Sequence, residues 1–87
     1  ALIFEHSQLS DIQLLNRKGA PEVSLQFNTP AVGIWTPHGK CAPFICIEPW
    51  YGIADAVGYK GEFRERHLMN HLQPGASFMS EYIITIH

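Results

Sequence analysis

Eighty-seven residues allow one domain at most, and six basic residues within a net charge of −2 leave no basic footprint of the kind that binds nucleic acid. A hydrophobic share of 46% is that of a globular chain rather than a disordered one. No apolar run approaches the roughly 18 residues of a membrane-spanning helix, so no membrane partner is expected.

The chain opens on Ala1-Leu2-Ile3-Phe4-Glu5, which lacks the basic start and small-residue cleavage site of a signal peptide. Leu2–Phe4 reads as a strand entered in mid-course. Together with a first residue other than Met, this points to a piece of a larger protein. Ile12–Asn16 and Val23–Phe27 read as the next strands. In the latter, Val23, Leu25 and Phe27 face one way and Ser24 and Gln26 the other, the alternation of a half-buried strand. Arg17-Lys18-Gly19-Ala20-Pro21 supplies turn residues between them and predicts a hairpin with a longer loop. Asn28-Thr29-Pro30 then punctuates the chain before a fourth strand, Val32–Thr36.

After the loop Pro37-His38-Gly39-Lys40 comes Pro43-Phe44-Ile45-Cys46-Ile47-Glu48-Pro49-Trp50. Phe44 to Ile47 contain nothing polar and read as a strand buried on both faces. Pro49 cannot donate to a sheet ladder, so it is expected to end that strand and fix where Glu48 points. A carboxylate so placed either reaches solvent or sits in a cleft with a raised pKa, and beside Trp50 and Tyr51 it has the setting of a general base in a sugar site. Tyr51 to Lys60 read as a surface loop, Phe63 to Leu72 as a short helix with Phe63, Leu68 and Leu72 inward, and Phe78 to Ile86 as a closing strand. Six short strands predict an antiparallel all-β sandwich or barrel. A strand covered on both faces needs more layers than this chain supplies, so the expectation is part of a larger β-sandwich.

Two cysteines, Cys41 and Cys46, are too few for a disulfide framework and fit a reducing cytoplasm. His38, Cys41 and Cys46 have no fourth donor at a matching interval, and no metal is expected. His67 and His71 are four apart, a spacing that would place both on one helical face, but they lack a third ligand. His6 and His87 carry no signal.

Gly33-Ile34-Trp35-Thr36, the run Ala42-Pro43-Phe44-Ile45-Cys46-Ile47-Glu48-Pro49-Trp50-Tyr51-Gly52-Ile53-Ala54-Asp55 and the turn Leu72-Gln73-Pro74-Gly75 resemble the C-terminal part of the aldose 1-epimerase (galactose mutarotase) family, LacX-like branch. The resemblance covers nearly the whole chain, and Cys-Ile-Glu-Pro-Trp is its specific part. Arg66 stands where that branch often has Lys. The resemblance implies a large antiparallel β-sandwich with a sugar cleft across one sheet. It also implies interconversion of the α and β anomers of a free aldohexose without cofactor or metal. Glu48 matches the family's base. The acid is a histidine that the family places upstream of Ala1, so the upstream part of the same protein is an implied partner, with a homo-oligomer as another possibility.

Among this chain's own histidines, His38 is the one expected near the cleft mouth. Trp50 is balanced between lining the cleft and closing the core, and Trp35 is assigned to the core. Asp55 is expected to order its own loop through a bond to backbone. A carbohydrate-binding sandwich without turnover is the alternative from another class, and a structural strand with a solvent-facing Glu48 is the plainest reading.

Overall fold

β-branched and aromatic residues at alternate positions give this chain its strands, and a computed structural model describes them over residues 1–87. The strands are β1 (Leu2–Phe4), β2 (Asp11–Leu15), β3 (Pro21–Phe27), β4 (Ala31–Trp35), β5 (Cys46–Trp50) and β6 (Tyr82–Ile86). They form two antiparallel three-stranded sheets, one ordered β1-β4-β5 and the other β2-β3-β6. The fold is all-β, and its one helical feature is a 3-10 turn at Phe63–Glu65.

The hairpin between β2 and β3 forms as its turn residues predict. Asn16 Oδ1 accepts from the backbone N–H of Lys18 (2.9 Å) and of Ala20 (3.0 Å), and Gly19 takes the positive φ of 83° that its missing Cβ permits. Asn28 to Pro30 carry the chain from one sheet to the other, and the buried Thr29 hydroxyl donates to the Ala31 carbonyl at 2.8 Å to hold that corner.

Alternation then sorts the faces. Ile12, Leu25 and Ile84 stand opposite one another in the second sheet, and Val32 and Pro49 in the first. The core lies between the sheets, where Leu25 and Phe27 meet Val32, with Phe4, Leu9, Ile12 and Ile47 packed around them. Each fully buried side chain of this kind contributes roughly 1.5–3 kcal/mol. The layer is not closed at the β5–β6 side. An apolar cleft of about 440 Å³ opens there between Leu25, Ile45, Ile47, Pro49, Tyr82 and Ile84.

Four expectations are corrected. Pro49 does not end its strand: β5 begins at Cys46 and runs through Pro49 to Trp50. β5 is a sheet edge, where a residue without an N–H can turn its nitrogen away from the ladder. Phe44 and Ile45 precede the ladder and are 50% and 43% exposed, because β4 ends at Trp35, the partner of Cys46, and only one layer covers this sheet. The segment from Phe63 to Leu72 forms one 3-10 turn instead of a helix. Arg66 turns extended (ψ 150°) and Leu68 left-handed (φ 58°), so the helical period is broken and Phe63 and Leu72 lie exposed. The closing strand is shorter than its apolar run, and pairing starts at Tyr82.

Candidate functional site

Register places the candidate residues. Glu48 lies opposite Gly33, and Trp50 opposite Ala31. Because side chains alternate, Cys46, Glu48 and Trp50 share one face of the first sheet with Ala31, Gly33 and Trp35, while Ile47 and Pro49 turn to the core. Glu48 and Trp50 are thus neighbours on one face, about 7 Å apart along the strand. Both are half-buried, and no second sheet covers this face.

Gly33 is what lets Trp50 lie down on the sheet. A Cβ at position 33 would stand 2.7 Å from Trp50 Cζ2 and 2.9 Å from Cη2, well inside contact distance. The indole therefore lies against the backbone of β4 at Gly33, next to the Glu48 position. Carboxylate and flat aromatic surface side by side make a platform suited to a sugar ring: C–H groups stack on the indole and hydroxyls bond the carboxylate. Trp50 falls on this face rather than in the inter-sheet core. Trp35, assigned to the core by sequence, stands 42% exposed at the far end of the same face, tilted against Phe44 with ring centroids 6.0 Å apart. It lacks a covering layer there.

The loop after Trp50 is tied down by a distant segment. The Gly52 N–H donates to the Leu68 carbonyl at 2.7 Å. Arg66 Nε donates to Asp55 Oδ1, and its Nη2 donates to the Ile53 carbonyl at 3.3 Å. Asp55 therefore pairs with Arg66 across the loop instead of bonding its own backbone, which corrects the sequence expectation. Arg66 also stacks over the Phe63 ring at 5.4 Å. Beside Trp50 these residues leave a hollow of about 440 Å³, walled by Tyr51, Gly52, Ile53, Arg66 and Met69.

The histidines are dispersed. His38 lies in the loop beyond Trp35 and Cys46, at the opposite end of the β4–β5 pair from Trp50, beside Leu2, Ile34 and Ile45. His87 Nε2 is 2.7 Å from Ser24 Oγ in the other sheet. His6 and His67 approach one carboxylate, that of Glu5, at 3.7 and 3.4 Å. His67 and His71 do not share a helical face, since there is no helix. Cys41 and Cys46 are both free thiols, and no group of three or more His, Cys, Asp or Glu side chains converges on a common metal position. The Glu5–His67 contact and the Arg66 clamp have no local signature, because each joins segments far apart in the chain.

No helix of the structure is long and apolar enough to cross a membrane. Comparison with family models, with curated proteins and with solved structures finds no match to this chain.

Proposed function

We propose that this chain supplies the catalytic base of an aldose 1-epimerase-like enzyme that exchanges the α and β anomers of a free aldohexose, with Glu48 as that base. The observation that carries the reading is the placement of Glu48 and Trp50 on one open sheet face, with the indole laid over Gly33. The resemblance of the Cys46–Trp50 block to the mutarotase family supports it independently.

The chemistry requires two proton carriers. Glu48 removes the proton from the anomeric hydroxyl while an acid protonates the ring oxygen, so the C1–O5 bond breaks as the C1 carbonyl forms. Rotation about C1–C2 presents the other carbonyl face. The O5 hydroxyl then adds back, returning its proton to the former acid as Glu48 returns its own to O1. Only protons move, so no cofactor is called for. By resemblance the acid belongs to sequence upstream of Ala1, within a larger mutarotase-like sandwich of which this chain is the C-terminal part. The open apolar cleft beside β5 and β6 supports such a larger sandwich, and the two free thiols support a cytoplasmic setting.

A carbohydrate-binding sandwich without turnover is the second reading. It is favoured by the partners this chain's histidines do have: His6 and His67 engage Glu5, and His87 engages Ser24.

Glu48→Gln separates the two. The amide keeps size and hydrogen bonding but removes the basic oxygen. In a protein containing this chain with its upstream part, anomer exchange should fall about 10²-fold or more while sugar binding is retained. Polarimetry on freshly dissolved α-galactose or α-glucose measures it. Exchange within about threefold of the parent rate would remove Glu48 from the mechanism, since loss of a working base costs far more.

A further inference from the structure

Strands β1, β5, β2 and β6 lie at sheet edges, and all but the last carry a feature that hinders further pairing. β1 is three residues long, β5 holds Pro49, and β2 starts on Asp11 and shifts register between Leu14 and Leu15. β6 has no such feature. Tyr82-Ile83-Ile84-Thr85-Ile86 holds no charge, proline or register shift, and Tyr82, Ile84 and Ile86 are 62%, 57% and 74% exposed.

Backbone direction shows what this edge offers. The His87 N–H donates to the Glu22 carbonyl at 3.0 Å, so by alternation Ile83, Thr85 and His87 turn their backbone groups toward β3. Tyr82, Ile84 and Ile86 then point theirs away. The Phe27 N–H confirms the phase, because Phe27 stands opposite Tyr82 and donates to Ser10 on the far side of β3. The free edge therefore presents the N–H and C=O of Tyr82, Ile84 and Ile86 in unbroken alternation. The side chains of Tyr82 and Ile84 line the apolar cleft beside it.

A second copy of β6 satisfies this edge by symmetry. Laid antiparallel with Ile84 opposite the second copy's Ile84, it puts Tyr82 opposite Ile86, and every outward N–H meets a C=O. The same register sets Glu81 opposite the second copy's His87 at both ends of the pair. That position is not hydrogen-bonded, so the side chains there stand closest. A parallel pairing in register would set Glu81 against Glu81 instead. Ser24 Oγ engages His87 Nε2 and leaves Nδ1 for the carboxylate. Area agrees as well: a stable dimer covers about 800 Å² per partner, and this chain exposes about 1,900 Å² more than a compact monomer of its mass.

We propose that β6 is the interface of a two-fold homodimer, in which the free edges of two copies pair and join their three-stranded sheets into one continuous sheet. This does not depend on the sugar-site reading, since Glu48 lies in the other sheet.

Sedimentation velocity of the full chain tests it, and a species of twice 9.8 kDa is the expected result. Cross-linking tests the register. In a Cys41→Ser, Cys46→Ser background, Ile84→Cys should give a disulfide-linked dimer on mild oxidation, because directly opposed residues stand about 5.5 Å apart at Cα. Thr85→Cys should not, because its two copies are diagonal neighbours about 7–8 Å apart, beyond disulfide reach. Ile84→Pro should weaken the dimer about tenfold or more and leave β3 pairing intact, since the N–H it removes faces the free edge. A monomer, an open-ended assembly, or equal cross-linking by Thr85→Cys and Ile84→Cys would overturn the proposal. So would loss of the Ile84→Cys cross-link in a protein that also carries the upstream part, which would give the edge to an upstream strand.

Discussion

At the scale of single residues, the site depends on an atom that is missing. Gly33 needs no unusual backbone angle; what its lack of a Cβ provides is room for the Trp50 ring on the sheet. Gly33→Ala would press a methyl group into that ring, and overpacking of this kind costs roughly 1–3 kcal/mol. The expected outcome is a lower melting temperature and a red shift of Trp50 emission as the indole lifts into water, read in a Trp35→Phe background so that one fluorophore reports. Emission identical to the parent would mean that the indole does not lie on Gly33.

Among elements, edge position explains β5. An interior strand could not hold Pro49, whereas an edge strand can, and the result is that Glu48 sits within the ladder rather than at its end. Its carboxylate direction is thereby fixed by pairing with Gly33 on one side of the strand. The loop that follows is fixed by the Arg66–Asp55 pair, whose side chains are 25% and 46% exposed. A pair this open to solvent contributes modestly, and a double-mutant cycle of Arg66→Ala with Asp55→Ala should give a coupling of about 0.5 kcal/mol. Strict additivity of the two substitutions, measured by denaturant unfolding, would show the pair to be idle.

The whole molecule is open for its length. Its Cα radius of gyration is 15.9 Å, whereas a compact chain of this size has about 12 Å. Its accessible surface of 7088 Å² exceeds the roughly 5,200 Å² expected of a compact monomer of this mass. The surplus, about 1,900 Å², is what one side of a large obligate interface covers. Much of it is apolar: Tyr82, Ile84 and Ile86 turn one face of β6 toward the cleft and largely into solvent, and β6 has a free edge. The chain by itself should therefore self-associate or aggregate, and it should show no anomer exchange, because the proposed mechanism gives Glu48 only half of the proton traffic. Sedimentation of a monodisperse monomer with a cooperative melt would refute the larger-sandwich proposal. Mutarotation by that monomer would refute an acid located elsewhere.

Local pattern was enough for the strands. Val23, Leu25 and Phe27 alternate with polar neighbours and form β3, and the turn residues from Arg17 to Pro21 form the β2–β3 hairpin, because alternation and turn chemistry act over a few residues. The candidacy of Glu48 and Trp50 was legible too, as a carboxylate and an aromatic two residues apart in an apolar run. Tertiary structure alone decided that β5 is an edge, that Gly33 lies under Trp50, and that the stretch from Phe63 to Leu72 forms one 3-10 turn rather than a helix. It alone brought Glu5 to His67 and Arg66 to Asp55. The physical reason is range: alternation and turn chemistry are written in neighbouring residues, whereas edge position, cross-strand partners and the clamp arise from pairings between segments that only the folded chain brings together.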